Sequence, residues 1–338
     1  MNSFENLMIH TPLGFRDIYG EEEHLKSSLM RGLRSVFRDY GYTPIETPAV
    51  EYFDVFGSDI GTTPSNELFK FFDRDGNTLV LRPDFTPSVA RAVAMHYSAS
   101  DMPLRLCYEG NTYINSHDYQ LNLKESTQMG VELIGDDSPA ADAEVLSLTC
   151  RILKEAGIRD FQVSVGENNY FKALAGESGL DDETIEEIRR LISNKNFFGV
   201  SERLLGEKID SAISEAFIQL PKLFGGSEVL DVAEHYAVNE GSKKAILRLR
   251  EIGDILKENG NDTYISYDFG LLSKFHYYTG IIFSAFTYGV GEPVAKGGRY
   301  DRLLSHFGPD EPAVGAGIYI DHLMHAVSRR DNRPGEEI

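Results

Sequence analysis

The sequence lacks the features that mark several classes of protein. It has no tryptophan and two cysteines, Cys107 and Cys150, which have neither the number nor the spacing of a disulfide framework or a cysteine metal site. It contains no apolar run of about 18 residues, and its first residues have neither the basic nor the apolar region of a signal peptide. We therefore expect a cytoplasmic protein with no structural disulfide and no membrane partner.

Positive charge is also scarce. Lysine and arginine together number 33 against 53 aspartates and glutamates, which gives a formal charge of -20. Such an excess of negative charge repels a phosphate backbone, so we expect no nucleic-acid partner. His322 and His325 lie three residues apart on a predicted helix, but no third ligand is identifiable, so the pair is interpreted as a chance spacing. We predict no metal and no other cofactor.

The order of predicted elements indicates an α+β fold. Apolar residues from Leu25 to Phe37 have helical spacing, and Gly41 is a suitable helix stop. A hairpin around residues 75–77 and a second helix from Pro87 follow. Strand patterns occupy 105–114, 125–135, 160–167, 263–270, 277–289 and 314–320. These six strands predict an antiparallel sheet flanked by helices.

Composition divides the chain into four parts. Residues 1–169 and 261–327 alternate strand and helix patterns and predict a core built from two stretches of chain. Residues 170–260 have the pattern of short helices with acidic surfaces, which predicts a helical insertion. Residues 328–338 form a polar tail.

Two groups of polar residues mark a candidate site. Arg82, Asp84 and Thr86 stand where a predicted strand gives way to a helix. Such a junction can bind an amino group through its carboxylate, although aspartate before a helix is also an ordinary cap. Gln128 and Glu132 lie four apart on a predicted strand, so they share one face, which is either a pocket or a solvated surface.

Several segments, taken in order, resemble the catalytic core of histidyl-tRNA synthetase, a class II aminoacyl-tRNA synthetase. TPLGFRDI and GYTPIETPAVEYFDVF are similar to its N-terminal segment and its dimer-forming motif 1. LRPDFT, RLCYEGNTYI and ESTQMGVELIG are similar to motif 2 and its surroundings, and HYYTGIIF, GGRYDRLL and AVGAGIYIDHL to the histidine-pocket segment and motif 3. The resemblance covers most of residues 10–135 and 263–326, and it implies the class II synthetase fold.

Three positions depart from the synthetase pattern. Ile114, Ser273 and His322 stand where the resemblance places the synthetase arginines, and Ser116 replaces a glutamate. By analogy with arginine fingers, losing such a clamp at a phosphorus centre costs about 10³ to 10⁵ in rate. Lys274 lies one position away, but a lysine lacks the bidentate fork of an arginine. The resemblance therefore implies a weakened ATP site.

The residues that match the amino-acid side of the synthetase pocket are retained. By the resemblance, the histidine-binding residues are Asp84 (a glutamate in the synthetase), Thr86, Gln128, Glu132, Tyr277, Tyr278 and Tyr300. From the residues alone, Tyr277 and Tyr278 also suit a sheet core. A retained histidine pocket beside a lost ATP clamp, with His276 in place of an aspartate, is similar to the regulatory subunits of ATP phosphoribosyltransferase, a family paralogous to the synthetase.

This second resemblance implies a non-catalytic subunit in the first step of histidine biosynthesis. In that family the subunit forms a hetero-octamer with the short-form catalytic subunit, dimerises through the motif 1 region and transmits feedback inhibition by L-histidine. The sequence stops directly after the motif 3 helix, so we expect no anticodon-binding domain. Two alternatives stay open: a diverged ligase that uses Lys274 or Arg299 in new roles, and an accessory protein whose partner is another enzyme or a tRNA.

Overall fold

A computed structural model describes residues 9–57, 60, 63–115, 123–273 and 278–331. Four residues named above lie outside these ranges: Ser116, Lys274, His276 and Tyr277.

Twelve strands are described in two sheets. In chain order they are β1 (Thr43–Pro44), β2 (Val50–Tyr52), β3 (Lys70–Phe72), β4 (Thr78–Leu81), β5 (Leu104–Tyr113), β6 (Glu125–Ile134), β7 (Phe161–Glu167), β8 (Phe224–Gly225), β9 (Ile265–Asp268), β10 (Ile281–Thr287), β11 (Ala295–Arg299) and β12 (Ala313–Tyr319). The main sheet has nine strands in the order β1-β5-β6-β12-β11-β10-β7-β9-β8, and β2-β4-β3 form a small second sheet. The predicted hairpin around residues 75–77 is the antiparallel pair β3 and β4.

The predicted α+β fold with an antiparallel sheet flanked by helices is confirmed, but the main sheet has nine strands rather than six, and two of its strand pairs are parallel. β1 and β8 have two residues each, too few for an alternating pattern, and β11 is an Ala-Lys-Gly-Gly-Arg segment with little intrinsic strand preference. These three segments become strands because they pair with neighbouring strands. Two pairs are parallel, β1 with β5 and β7 with β9. The second follows from the helical crossover between β7 and β9, since parallel neighbours need such a connection.

Ten helices are described. They are α1 (Gly20–Asp39), α2 (Thr86–His96), α3 (Pro139–Glu155), α4 (Asn168–Ser178), α5 (Asp182–Ser193), α6 (Phe197–Leu204), α7 (Ser211–Gln219), α8 (Glu228–His235), α9 (Glu240–Glu258) and α10 (Ile320–Asp331). Helices α4 to α9 fall between β7 and β9, in the region whose sequence predicts short helices. That this region is an insertion into the core stays a prediction. No helix in the described ranges is long and apolar enough to cross a bilayer.

The two faces of the main sheet differ in chemistry. One face carries fully buried apolar side chains such as Val131 and Phe283, and it packs on α3, whose Leu146 and Ile152 are also fully buried. α3 buries residues on nearly every side because it lies between the sheet and the helices α1 and α9. The other face, on which α2 packs through a second buried apolar cluster, carries the candidate site.

Candidate functional site

The site begins at the junction between β4 and α2. Pro83 follows the strand, and Pro87 lies in the first turn of α2, where a missing backbone N–H costs nothing. The Asp84 Oδ1 accepts a hydrogen bond from the Phe85 backbone N–H at 2.7 Å. Arg82 is buried and structural, because its Nη1 donates to the Thr47 carbonyl at 2.8 Å. The junction therefore holds Asp84 and the start of α2 in place.

Glu132 lies at the bottom of the site. Its side chain projects from β6 and is 1% exposed, so the solvated-surface alternative is wrong for this residue. Its Oε1 accepts a hydrogen bond from the Thr86 hydroxyl at 2.8 Å, and its Oε2 accepts one from the Tyr300 hydroxyl. Two elements far apart in sequence therefore converge on one buried carboxyl group.

Glycines on the facing strand give the site its depth. Gly315 of β12 pairs with Glu132, and a Cβ atom at this glycine would lie 1.7 Å from the Glu132 Oε2. A Cβ at Gly317 would lie 2.2 Å from the Gln128 Nε2. Sequence analysis did not assign these glycines to the site, although glycine at alternate positions of one strand signals a face without side chains.

Aromatic rings form the walls. Tyr108 of β5, which sequence analysis also missed, stacks on Phe85 with ring centroids 4.3 Å apart. Its hydroxyl accepts a hydrogen bond from the Gln128 Nε2 at 3.4 Å. Tyr278 packs against the apolar cluster that contains Tyr108 and Tyr300, and its ring lies close to β11. The structure thus brings together six of the seven predicted residues, and the seventh lies outside the described ranges.

Burial dominates the electrostatics of the site. It raises the pKa of Glu132 to about 8, and the nearby Asp84 carboxylate acts in the same direction, while the hydrogen bonds from Tyr300 and Thr86 oppose the shift. Burial also raises the pKa of Tyr108 and of Tyr300. Two carboxyl groups close together in a site with little water favour a ligand that supplies hydrogen-bond donors and positive charge.

The three positions without the synthetase arginines are all described. Ile114 follows β5 and donates its backbone N–H to the Lys124 carbonyl at 2.9 Å. Ser273 is buried. The Nδ1 atom of the His322 ring lies 2.8 Å from the Pro293 carbonyl oxygen. None of the three side chains supplies a guanidinium fork. The described residues also contain no group of three or more histidine, cysteine, aspartate or glutamate side chains placed for a metal ion.

A buried ion network lies behind the site. Asp142 of α3 is fully buried; the Arg299 Nε donates to its Oδ1 at 2.8 Å, and the Arg248 Nε donates to its Oδ2 at 2.7 Å. Arg299 precedes Tyr300, so the network holds the end of β11 on which that tyrosine depends. Arg248 belongs to α9, and the network therefore joins the helical region to the sheet.

Known proteins resemble the chain over nearly its whole length. The sequence model of the histidyl-tRNA synthetase family matches residues 14–323. An ATP phosphoribosyltransferase regulatory subunit of Acetivibrio thermocellus is 42% identical over 95% of this chain and 77% of that protein, and one of Ruminiclostridium cellulolyticum is 39% identical over the same shares. A solved Bacillus halodurans structure, described as an ATP phosphoribosyltransferase regulatory subunit/histidyl-tRNA synthetase, superposes with a TM-score of 0.87 at 34% identity, covering 95% of this chain and 83% of that one.

Proposed function

The chain belongs to the histidyl-tRNA synthetase family and, within it, to the ATP phosphoribosyltransferase regulatory subunits, and from this we propose that it makes the short catalytic subunit active and sensitive to histidine. In this proposal the chain is not itself an enzyme. It acts in the cytoplasm in the first step of histidine biosynthesis, as the resemblance implies. The observation that carries the proposal is the buried Glu132 carboxyl group, which accepts hydrogen bonds from Thr86 and Tyr300 next to the cluster that contains Tyr278.

Histidine fits the chemistry of this pocket. Its ammonium group and its imidazole ring both donate hydrogen bonds, and both can carry positive charge. Asp84, Gln128 and Glu132 supply acceptors, and the rings of Tyr278 and Tyr300 supply apolar walls. Hydrogen bonds to a charged partner contribute about 1.5–3 kcal/mol each, so Glu132 is the residue on which we expect affinity to depend most. Tyr277 remains a proposed member of the pocket by the resemblance.

Loss of the arginine positions supports a sensor rather than a ligase. Adenylate formation places negative charge on a phosphorus centre, which a preorganised guanidinium fork stabilises. Ile114 and Ser273 bear no charge, and His322 lies against a backbone carbonyl. The Arg299 guanidinium, which the ligase alternative would need, is 3% exposed and is paired with Asp142. It is thus already committed to a structural role.

We also propose assembly with a second copy and with the catalytic subunit, in the hetero-octamer that the resemblance implies. The small sheet that carries the motif 1 region exposes apolar side chains. Val50 is 39% exposed, Tyr52 58% and Phe71 37%, and the strand register places all three on the same face of the small sheet. Side chains of this size in one patch are typical of a protein interface. The patch supports a dimer contact here.

The test is an ATP phosphoribosyltransferase assay of the short catalytic subunit from the same genome, with and without this chain, over a histidine titration. We expect stimulation that histidine reverses. Glu132→Gln should raise the histidine concentration for half inhibition by about tenfold or more, because an amide cannot lose a proton to become the carboxylate acceptor that a bound cation stabilises. Glu109→Gln is the matched control: Glu109 lies on β5 but is paired with Arg34 at the surface, so its histidine response should match wild type.

No stimulation and no co-purification with the catalytic subunit would contradict the proposal. Histidine-dependent exchange of pyrophosphate into ATP by the purified chain would establish the ligase instead. An equal histidine response in Glu132→Gln and wild type would retain the regulatory role and reject this pocket.

A further inference from the structure

The first turn of α4 touches the backbone on both sides of the segment that carries Tyr278. The Asn168 Oδ1 accepts a hydrogen bond from the Ser273 N–H at 3.1 Å, and the Asn168 N–H donates to the Gly280 carbonyl at 3.1 Å. One residue of the helical region thus holds residues on either side of Tyr278. Since Asn168 is 4% exposed, these two hydrogen bonds form away from competing water.

Lys172 adds a contact to the tyrosine itself. Its Nζ donates a hydrogen bond to the Tyr278 carbonyl oxygen at 2.7 Å. Lys172 lies one helical turn after Asn168, so both side chains project from the same side of α4. The neighbouring helix contributes as well, because the Arg189 Nη1 of α5 donates to the Ser273 carbonyl at 2.9 Å.

The opposite wall of the pocket is held differently. Tyr300 and Glu132 project from the sheet region, whose strands pair with one another and pack on α3. Tyr278 is described at the start of the 278–280 stretch that leads into β10, and its carbonyl contact is with α4 rather than with a strand. The next residue, Thr279, donates its backbone N–H to the Arg299 carbonyl of β11 at 2.8 Å, so α4 and β11 together fix the backbone of this wall.

We propose that Lys172 is a positioning residue for the histidine pocket: by holding the Tyr278 carbonyl, it sets the affinity of the pocket for histidine and links that affinity to the position of α4. The inference rests on the proposed function for the identity of the ligand. The contact itself does not depend on it. No catalytic role is assigned to Lys172, whose Nζ donates to the Tyr278 carbonyl oxygen.

The experiment compares Lys172→Met, Lys172→Arg and Lys244→Met in the full chain. Lys244 is the matched control, because it lines the same surface cleft as Lys172 but projects from α9. Two quantities are measured for each protein: the histidine dissociation constant by calorimetry, and amide hydrogen exchange of the peptide that covers residues 278–283. Thermal unfolding checks that the variants remain folded.

Loss of one hydrogen bond from a lysine to a carbonyl should weaken histidine binding about fivefold in Lys172→Met and speed exchange in the peptide by a similar factor. Lys172→Arg should restore both quantities because it keeps a donor, and Lys244→Met should match wild type. If Lys172→Met merely destabilised the whole protein, amide exchange would become faster in other peptides as well as in this one.

Unchanged exchange in Lys172→Met overturns the positioning role. Faster exchange with an unchanged dissociation constant overturns the link to affinity. If wild-type protein binds no histidine, the proposed function fails, whereas faster exchange in Lys172→Met alone would still support the contact with Tyr278.

Discussion

Glu132→Gln should flatten the pH dependence of stability. The glutamine side chain has nearly the same shape as a protonated glutamic acid, and its amide oxygen can still accept the hydrogen bond from Thr86. Its amide nitrogen can donate to the Tyr300 oxygen, so the hydrogen-bond positions are kept. What the substitution removes is the titration of a buried carboxyl group.

The size of the effect follows from the pKa of Glu132. Burial raises this pKa from 4.5 to about 8 in the folded protein, so the folded state binds more protons than the unfolded state between these values. Stability from this group is then present at low pH and is lost as the pH rises toward 8, the reverse of an ion-paired carboxylate. At 1.36 kcal/mol for each pKa unit, the loss between pH 5 and pH 9 is up to about 4 kcal/mol.

The assay is urea unfolding of wild type and Glu132→Gln at pH 5, 6, 7, 8 and 9, with no ligand present. The difference between the two free energies of unfolding should change steadily up to about pH 8, in favour of the variant, and then level off. Other titrating groups cancel in this difference because both proteins share them.

Glu167→Gln serves as a positive control. Glu167 is 1% exposed, lies outside the pocket at the start of α4, and has a pKa that burial raises to about 8. It should show a pH dependence of the same sign. Identical pH profiles for wild type and Glu132→Gln would refute the reasoning, since they would mean that Glu132 is ionised in the folded protein throughout this range.

Two further predictions concern packing around the site. Asp142→Asn removes the counter-charge of the half-buried Arg248 and leaves the buried Arg299 with Asp301 as its carboxylate partner, so the free energy of unfolding should fall by about 3 kcal/mol. A decrease below about 1 kcal/mol in urea unfolding would contradict the ion network. Gly315→Ala places a methyl group on the Glu132 carboxyl group, so histidine should no longer raise the melting temperature of this variant. Gly291→Ala is the control, because a methyl group there meets nothing within 4 Å, and it should keep the wild-type response to histidine. An equal response in both variants would show that the pocket does not lie over Gly315.

Long elements were predictable because their patterns repeat several times. α1 shows its buried stripe of Leu29, Leu33 and Phe37, and a glycine ends it, so the predicted helix was confirmed. β5 and β6 have ten residues each and were predicted as adjacent strands. Of the two-residue strands, β1 lies in residues 43–56, whose pattern predicts an extended segment or edge strand, whereas β8 was not predictable, because two residues carry no periodicity. Their pairing is decided by strands that lie up to about sixty positions away, as for Thr43 and Leu106.

The site could be predicted in part. The spacing of Gln128 and Glu132 put both on one face of a strand, which was confirmed, but spacing alone could not decide whether that face is buried. The facing strand decides it, because Gly315 and Gly317 remove the side chains that would otherwise fill the space. Tyr108 could not be assigned from sequence, since a tyrosine on a strand has the same pattern in a core and in a pocket.

The two walls of the pocket are held by different contacts, and this difference indicates how histidine binding is transmitted to the rest of the protein. A ligand shifts an equilibrium only if it binds two states with different affinity, so some part of the pocket must differ between those states. The wall formed by Glu132 and β12 is fixed by strand pairing and by α3. The wall that contains Tyr278 is held by hydrogen bonds from α4 and also by the Thr279 N–H, which donates to the Arg299 carbonyl of β11. The second wall has direct hydrogen bonds to a helix as well as to the sheet, and it is therefore the wall through which we expect regulation to act.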